Sequence, residues 1–275
     1  MKILVISGSP RKKGNTMSMV KIVEKEMMEI DESIEFEYIH LIDKDLRFCR
    51  GCSLCLREGG DKCPLKDDGQ HILKSMHNAD GIIFASPGYS AMVSGLMKNF
   101  IDRFMYLDHI PELIAKPILI ISTSGGDGVM GAPNYMAKMS FYWWACNIID
   151  IIGIGHAFYT INDKVKRRTE KKLRKAAEKL YDTARLKPEP RPRFIQYMYF
   201  GFNRTELEIS SSVMPYRTRV WKENNWLKMN YYYSTGVNPL FKLIGGIVFS
   251  AMKISYRILL GKDGDKKIAA YVREN

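Results

Sequence analysis

Short apolar runs that alternate with helix-period stretches, from the first residue to about residue 186, constrain this chain more than any other feature. Lys2–Ser7 reads as a buried strand, and Thr16–Met28 as a helix with Met17, Val20, Val23 and Met27 on one stripe. Ile34–His40 is a second strand. Asp68 stands where it would cap a helix reaching about His77, with Asp67 beside it in the same role. Gly81–Ser86 is a third strand, followed by a helix over Gly95–Phe104, and Pro117–Thr123 is a fourth. The pattern then predicts a helix near Tyr135–Ile149, a fifth strand near Gly155–Thr160 and a charged helix over Asp163–Arg185. Strands alternating with helices imply an α/β chain with a doubly wound, five-stranded parallel sheet covered on both faces. In such sheets ligands bind outside the carboxyl ends of the strands, which singles out the loops after the first, third and fourth.

The alternation stops at Lys187-Pro188-Glu189-Pro190-Arg191-Pro192-Arg193, too rich in proline for a helix. This divides the chain into residues 1–186 and an extension, 187–275, where Tyr197, Tyr199, Phe200, Phe202, Trp221, Trp226 and Tyr231–Tyr233 crowd together. Charge is divided as well. The net +12 arises from 17 Lys/Arg against 19 Asp/Glu in residues 1–160, and 25 against 11 in residues 161–275. With 46% hydrophobic and 26% charged residues the composition is globular, which excludes a disordered chain or a collagen-like one. The first apolar run, Ile3–Ile6, is too short for a signal peptide, so a cytoplasmic protein is expected.

The loop after the first strand is Ser7-Gly8-Ser9-Pro10-Arg11-Lys12-Lys13-Gly14-Asn15-Thr16. A phosphate there would meet helix N–H groups, the hydroxyls of Ser9 and Thr16, and the Arg11 guanidinium. The spacing matches neither the ATP-binding P-loop nor the Rossmann glycine pattern. Gly8-Ser9-Pro10-Arg11 through Gly14-Asn15-Thr16 resembles the FMN-phosphate loop of the flavodoxin-like NAD(P)H-dependent FMN reductases. The block from Ser86-Pro87-Gly88-Tyr89-Ser90 to Ser94–Arg103 resembles the same family at its flavin-ring loop and following helix. The resemblance runs over residues 1–186 and implies a flavodoxin-like fold. It also implies FMN held at Ser9, Arg11, Asn15 and Thr16, with Pro87, Gly88 and Tyr89 at the ring edge. Thr123, Ser124, Gly125 and Gly126 would approach the ring from the fourth strand.

Cys49, Cys52 and Cys55 are spaced by two residues, and Cys63-Pro64 follows after seven more. One tight loop can direct three thiolates at a common centre, and a fourth completes four ligands, as in ferredoxin-type iron–sulfur runs. Zinc and free or reversibly oxidised thiols are the other readings of these residues. Within the family, the spacing resembles the iron–sulfur flavoproteins, which implies a 4Fe–4S cluster on Cys49, Cys52, Cys55 and Cys63 that relays electrons to FMN. Cys146, beside Trp143-Trp144, reads as a small core residue.

No nucleophile–base arrangement appears among His40, His71, His77, His109 and His156, and no catalytic side chain is assigned. The resemblance implies an oxidoreductase drawing electrons from NAD(P)H or a ferredoxin-like donor for a small acceptor, assembled as a homodimer or higher oligomer. A non-enzymatic, flavodoxin-type electron carrier is the competing expectation. In the extension, Leu240–Leu260 is an amphipathic helix, expected to dock on its own domain or a second subunit, or to lie in a membrane interface. Nucleic acid is not expected, since no binding motif accompanies the charge.

Overall fold

The computed structural model describes residues 1–126, 128–261, 266–268 and 270; Asp127, in the loop after the fourth strand, lies outside them. Its contacts divide the chain into two units: Met1–Arg50 with Leu65–Met105 and Glu112–Pro188, and Gly51–Pro64 with Tyr106–Pro111 and everything from Glu189 onward.

The first unit is built on six strands: β1 (Lys2–Ser7), β2 (Glu35–His40), β3 (Gly81–Tyr89), β4 (Met92–Val93), β5 (Pro117–Ser124) and β6 (Asn147–Gly155). Five run parallel in the order β2-β1-β3-β5-β6, while β4 is a short antiparallel return on the end of β3. Ile3–Ile6, Ile82–Ala85 and Ile118–Ile121 are wholly buried, as central strands covered on two faces require. Side-chain alternation sends Ile3, Val5, Ile83, Leu119 and Ile121 to one face. There they meet Met17, Val20, Val23 and Met27 of α1 (Asn15–Ile30). The long charged helix Asp163–Leu186 adds Leu173, Ala177 and Leu180 to the same layer. Opposite, Phe84 stacks on Phe141 at 4.0 Å between ring centroids, with Phe100, Phe104 and Trp144 around them. The helices of that face include Gly69–Asn78 and Gly95–Arg103.

Two sequence expectations move. The predicted helix over Tyr135–Ile149 is a short helix, Gly131–Met136, continued by one wide π turn to Phe141. Ala145, at φ +58°, turns the backbone out of any helical path, and the isoleucine-rich run from Asn147 then pairs with β5 along its length. The fifth parallel strand is therefore β6, and most of the stretch predicted as strand, Gly155–Thr160, is a one-turn helix, His156–Ile161.

Among the described residues the second unit includes the helices Leu54–Arg57 within the cysteine stretch, Phe194–Ile209, Pro215–Glu223 and Pro239–Leu260. Its core is aromatic. Phe200 stacks on Trp221 at 5.4 Å, with Trp226, Tyr231 and Tyr232 edge-on or tilted around them. The Trp221 indole N–H donates to the His109 carbonyl at 2.8 Å, and buried Arg217 donates to Asn203 Oδ1 at 2.6 Å and Glu206 Oε2 at 2.9 Å. Gly201 lies so close to Phe249 that a Cβ would stand 1.8 Å from the ring, which fixes how Pro239–Leu260 packs on Phe194–Ile209. Among the described residues no helix is long and apolar enough to cross a membrane.

Candidate functional site

A cleft of about 160 Å³ opens at the carboxyl ends of β1, β3 and β5. It is lined by Ser9, Arg11, Asn15, Thr16, Pro87, Gly88, Tyr89, Thr123, Ser124 and Gly125. These are the cofactor residues expected from sequence, with Gly126 alone outside the lining. Three loops separated by dozens of residues converge because parallel pairing aligns their starting points: Ser7 stands beside Ala85, and Pro87 beside Thr123.

The first loop is held from below. Gly8 donates its N–H to the Ala85 carbonyl at 2.8 Å, and its own carbonyl accepts from the Ser94 hydroxyl at 2.6 Å. Ser94 also caps the Gly95–Arg103 helix by accepting the Met97 N–H. A Cβ on Gly8 would sit 2.7 Å from that of Met97, so only glycine lets the loop come this close. Within the loop, Ser9 Oγ donates to the Arg11 carbonyl and accepts the Arg11 N–H, giving a compact turn. Gly14 occupies the N-cap of α1, and no side chain caps the first turn. Such a turn presents N–H donors and the positive helix end to an anion. Thr16, buried at its start, shares a 2.7 Å hydrogen bond with Thr123 and ties α1 to the end of β5.

The ring-side loops are shaped differently. After Tyr89 the chain reverses through Ser90 and Ala91, both at positive φ (49° and 60°), the geometry of a tight hairpin that glycine or asparagine usually occupies. Gly131 permits this turn to pack: a Cβ there would fall 1.8 Å from the Ala91 carbonyl oxygen. Tyr89 is half exposed at the cleft edge. Gly125 has no atom within 4 Å of where a Cβ would be, so the space above it is open to a ligand. The Gly125 carbonyl accepts from Ala157 N–H at 3.1 Å, which fixes the β5 loop against the His156–Ile161 helix. An anion-accepting end at α1 and an open, glycine-lined edge at the β5 loop suit the phosphate and ring of FMN.

Asp67 takes the capping role expected of the pair, accepting the N–H of the first helical residue, Gly69, and has a further task besides. Asp68 sits at the N-cap position, but its carboxylate accepts the Asp45 N–H at 2.9 Å. Asp67 accepts from Gly69 N–H and Arg47 N–H, both at 3.0 Å, and from both Nη atoms of Arg103. Burial alone would raise the Asp67 pKa; these donors, led by Arg103, outweigh it and hold the carboxyl below the usual carboxylate range. Arg103 donates further to the Arg47 carbonyl, and Asn99 to that of Leu46. The segment that leads into Cys49 is thereby clamped to the Gly95–Arg103 helix.

Of the cysteines, Cys49 and Cys52 are exposed, Cys55 and Cys63 half-buried, and Cys146 buried, where loss of solvent pushes its thiol pKa strongly up. Gly51 and Ser53 both adopt positive φ (67° and 54°), so the chain between the first two cysteine positions and the short helix turns sharply. The donor set is that of a four-thiolate site, but among the described residues no three His, Cys, Asp or Glu side chains are gathered in a metal-binding arrangement.

Comparison with known proteins follows this geometry. Residues 1–158 match the family model described as NADPH-dependent FMN reductase. An iron-sulfur flavoprotein from Archaeoglobus fulgidus is 28% identical over 231 residues, covering 82% of this chain and 100% of the relative. An iron-sulfur flavoprotein from Methanocaldococcus jannaschii is 48% identical over 103 residues, 38% of this chain and 51% of the relative, so the match spans about half of that protein's length. Among solved structures, an oxidoreductase from Corynebacterium diphtheriae aligns with a TM-score of 0.52 at 17% identity, over 67% of this chain and 97% of that one; the likeness is one of fold.

Proposed function

Since the chain belongs to the NADPH-dependent FMN reductase family, we propose that it is an FMN-dependent oxidoreductase, moving electrons from NAD(P)H to a small acceptor. The observation that carries this reading is the cleft, whose lining unites the α1 loop with the two ring-side loops. When bound, FMN supplies the electron transfer itself, accepting a hydride and passing electrons on. The chain's part is binding and orientation. Ser9, Arg11, Asn15 and Thr16 would hold the phosphate at the uncapped first turn of α1. Pro87, Gly88, Tyr89 and Thr123–Gly126 would bound the ring. Arg11 and Tyr89 are the titratable side chains of the lining, so no general acid or base is assigned. The test is reconstitution with FMN, followed by NADPH and NADH oxidation with a quinone or free flavin as acceptor. Turnover without an added protein supports the reading. A chain that holds FMN but turns over only with a partner protein is an electron carrier, and failure to retain FMN overturns both.

For the cysteines, we propose a 4Fe–4S cluster on Cys49, Cys52, Cys55 and Cys63. Support comes from their spacing and from the relatives that bear the iron-sulfur name. The ungathered thiols among the described residues favour a second reading, an FMN reductase with a cluster-free thiol loop. Iron and sulfide analysis of protein purified without oxygen separates the two. About four irons per chain, lost on Cys52→Ser, supports the cluster, whereas flavin without iron leaves the thiol loop. A homodimer or higher oligomer and a cytoplasmic location belong to the same reading, and sedimentation velocity tests the first.

A further inference from the structure

The Pro239–Leu260 helix uses one face to pack in its own unit and leaves another unpartnered. Gly245 and Phe249 are buried, and the close approach of Gly201 and Tyr197 fixes that side inward. Half a turn away, Leu240, Leu243, Ile247, Ile254 and Ile258 are 57–77% exposed. Their spacings of three, four and seven residues place them in one continuous outward stripe. At 100° per residue Arg257 lies on one flank of the stripe, with Lys253 and Lys242 further round toward Phe249, and the helix contains no Asp or Glu. Lys253 pairs with Glu208 of the Phe194–Ile209 helix, while Lys242 and Arg257 reach solvent.

We propose that this stripe is a docking surface for an anionic lipid bilayer, with the helix lying flat in the interface. An apolar row flanked by the exposed Arg257, on a helix that carries the further exposed cation Lys242 and no acidic residue, suits the two layers of such an interface, acyl chains beneath and anionic headgroups above. A second copy of the chain fits less well. It would bring the same cations and no carboxylate on the matching helix. Five side chains on a single helix also fall short of the roughly 800 Å² per partner that a stable dimer buries. Nor does the helix span: no described helix qualifies for that. The surface is independent of the cleft residues, so lipid binding and flavin chemistry can fail separately.

The test is co-sedimentation of the full chain with phosphatidylcholine vesicles containing about one third phosphatidylglycerol, at low salt. Binding is expected, and vesicles of phosphatidylcholine alone should retain much less. Replacing Lys242→Gln and Arg257→Gln together should weaken binding about 25-fold, about fivefold per charge. Ile247→Ser with Ile254→Ser should weaken it more than about tenfold. Both variants alter exposed positions, and their flavin content and NAD(P)H oxidation should equal those of the parent. Three results overturn the proposal: no preference for anionic vesicles, apolar variants that bind as the parent does, or a concentration-dependent parent oligomer that the apolar variants abolish.

Discussion

Replacing Arg103 by Met keeps the length of the side chain and removes its charge from beside Asp67. The two side chains are 6% and 1% exposed, so the carboxylate left behind has almost no access to water. Breaking a buried pair in this way costs about 3–5 kcal/mol. Arg103 also donates to the Arg47 carbonyl, and that acceptor loses its donor too. For a chain of this size the loss corresponds to a fall in Tm of roughly 6–20 °C at pH 7. The sign of the pH dependence follows from the depressed Asp67 pKa. In the parent, the stabilisation is full above the unfolded carboxylate value, about 3.9, and is lost as pH falls through the lower folded value. In the variant the buried carboxylate keeps the Gly69 and Arg47 N–H donors but loses the guanidinium, so its folded pKa lies above the parent's and acid removes part of the penalty. The gap between parent and variant should therefore narrow as pH falls from 7 towards about 4.5. Thermal unfolding followed by calorimetry at both pH values reads this directly. A gap below about 1 kcal/mol at pH 7, or one that widens in acid, would refute the argument that a buried ion pair holds this segment.

Gly8→Ala should destabilise the fold by about 1–3 kcal/mol, through overlap with Met97, and lower FMN affinity with it; urea unfolding and flavin titration read the two effects. Gly125→Leu should do the reverse, abolishing FMN retention while leaving Tm nearly unchanged, because its side chain enters open cleft space. Cys146, buried and with its thiol pKa raised, should resist iodoacetamide at pH 8 in the folded chain and react only after denaturation, which mass spectrometry of the labelled peptides would show.

The central strands were legible because burial on both faces leaves an uninterrupted apolar run, which a sequence displays openly. The cleft was legible for a related reason: parallel pairing places strand ends together, so the loops after β1, β3 and β5 had to meet. The stretch from Tyr135 to Thr160 was not. Apolar residues there satisfy helical and extended spacing alike, and the decisive event is the positive φ at Ala145, which no local preference announces. Asp67 was legible in part. An aspartate before a helix ordinarily caps it, as Asp67 does at Gly69, and only the fold reveals that Arg103, 36 positions away, shares the carboxylate. Ser94 and the Ser90–Ala91 turn escaped notice because a hydroxyl cap and a non-glycine hairpin carry little local signal. A Ser-Gly pair ahead of the Leu96–Ile101 run was the clue available for the first.

The discontinuity of the second unit bears on how the chain is made. Trp221 donates to the carbonyl of His109 across 112 residues of sequence. At a synthesis rate of 5–20 residues per second, that interval lasts roughly 6–22 s. During it the Tyr106–Pro111 segment, and the Gly51–Pro64 stretch made before it, wait for Pro215–Glu223 and Pro239–Leu260, the later helices of their unit. The β1–β6 sheet can close in that time, since its last strand ends at Gly155. Any factor that modifies Cys52, Cys55 or Cys63 during synthesis therefore meets them before Pro215–Glu223 and Pro239–Leu260, the later helices of their unit, have been made.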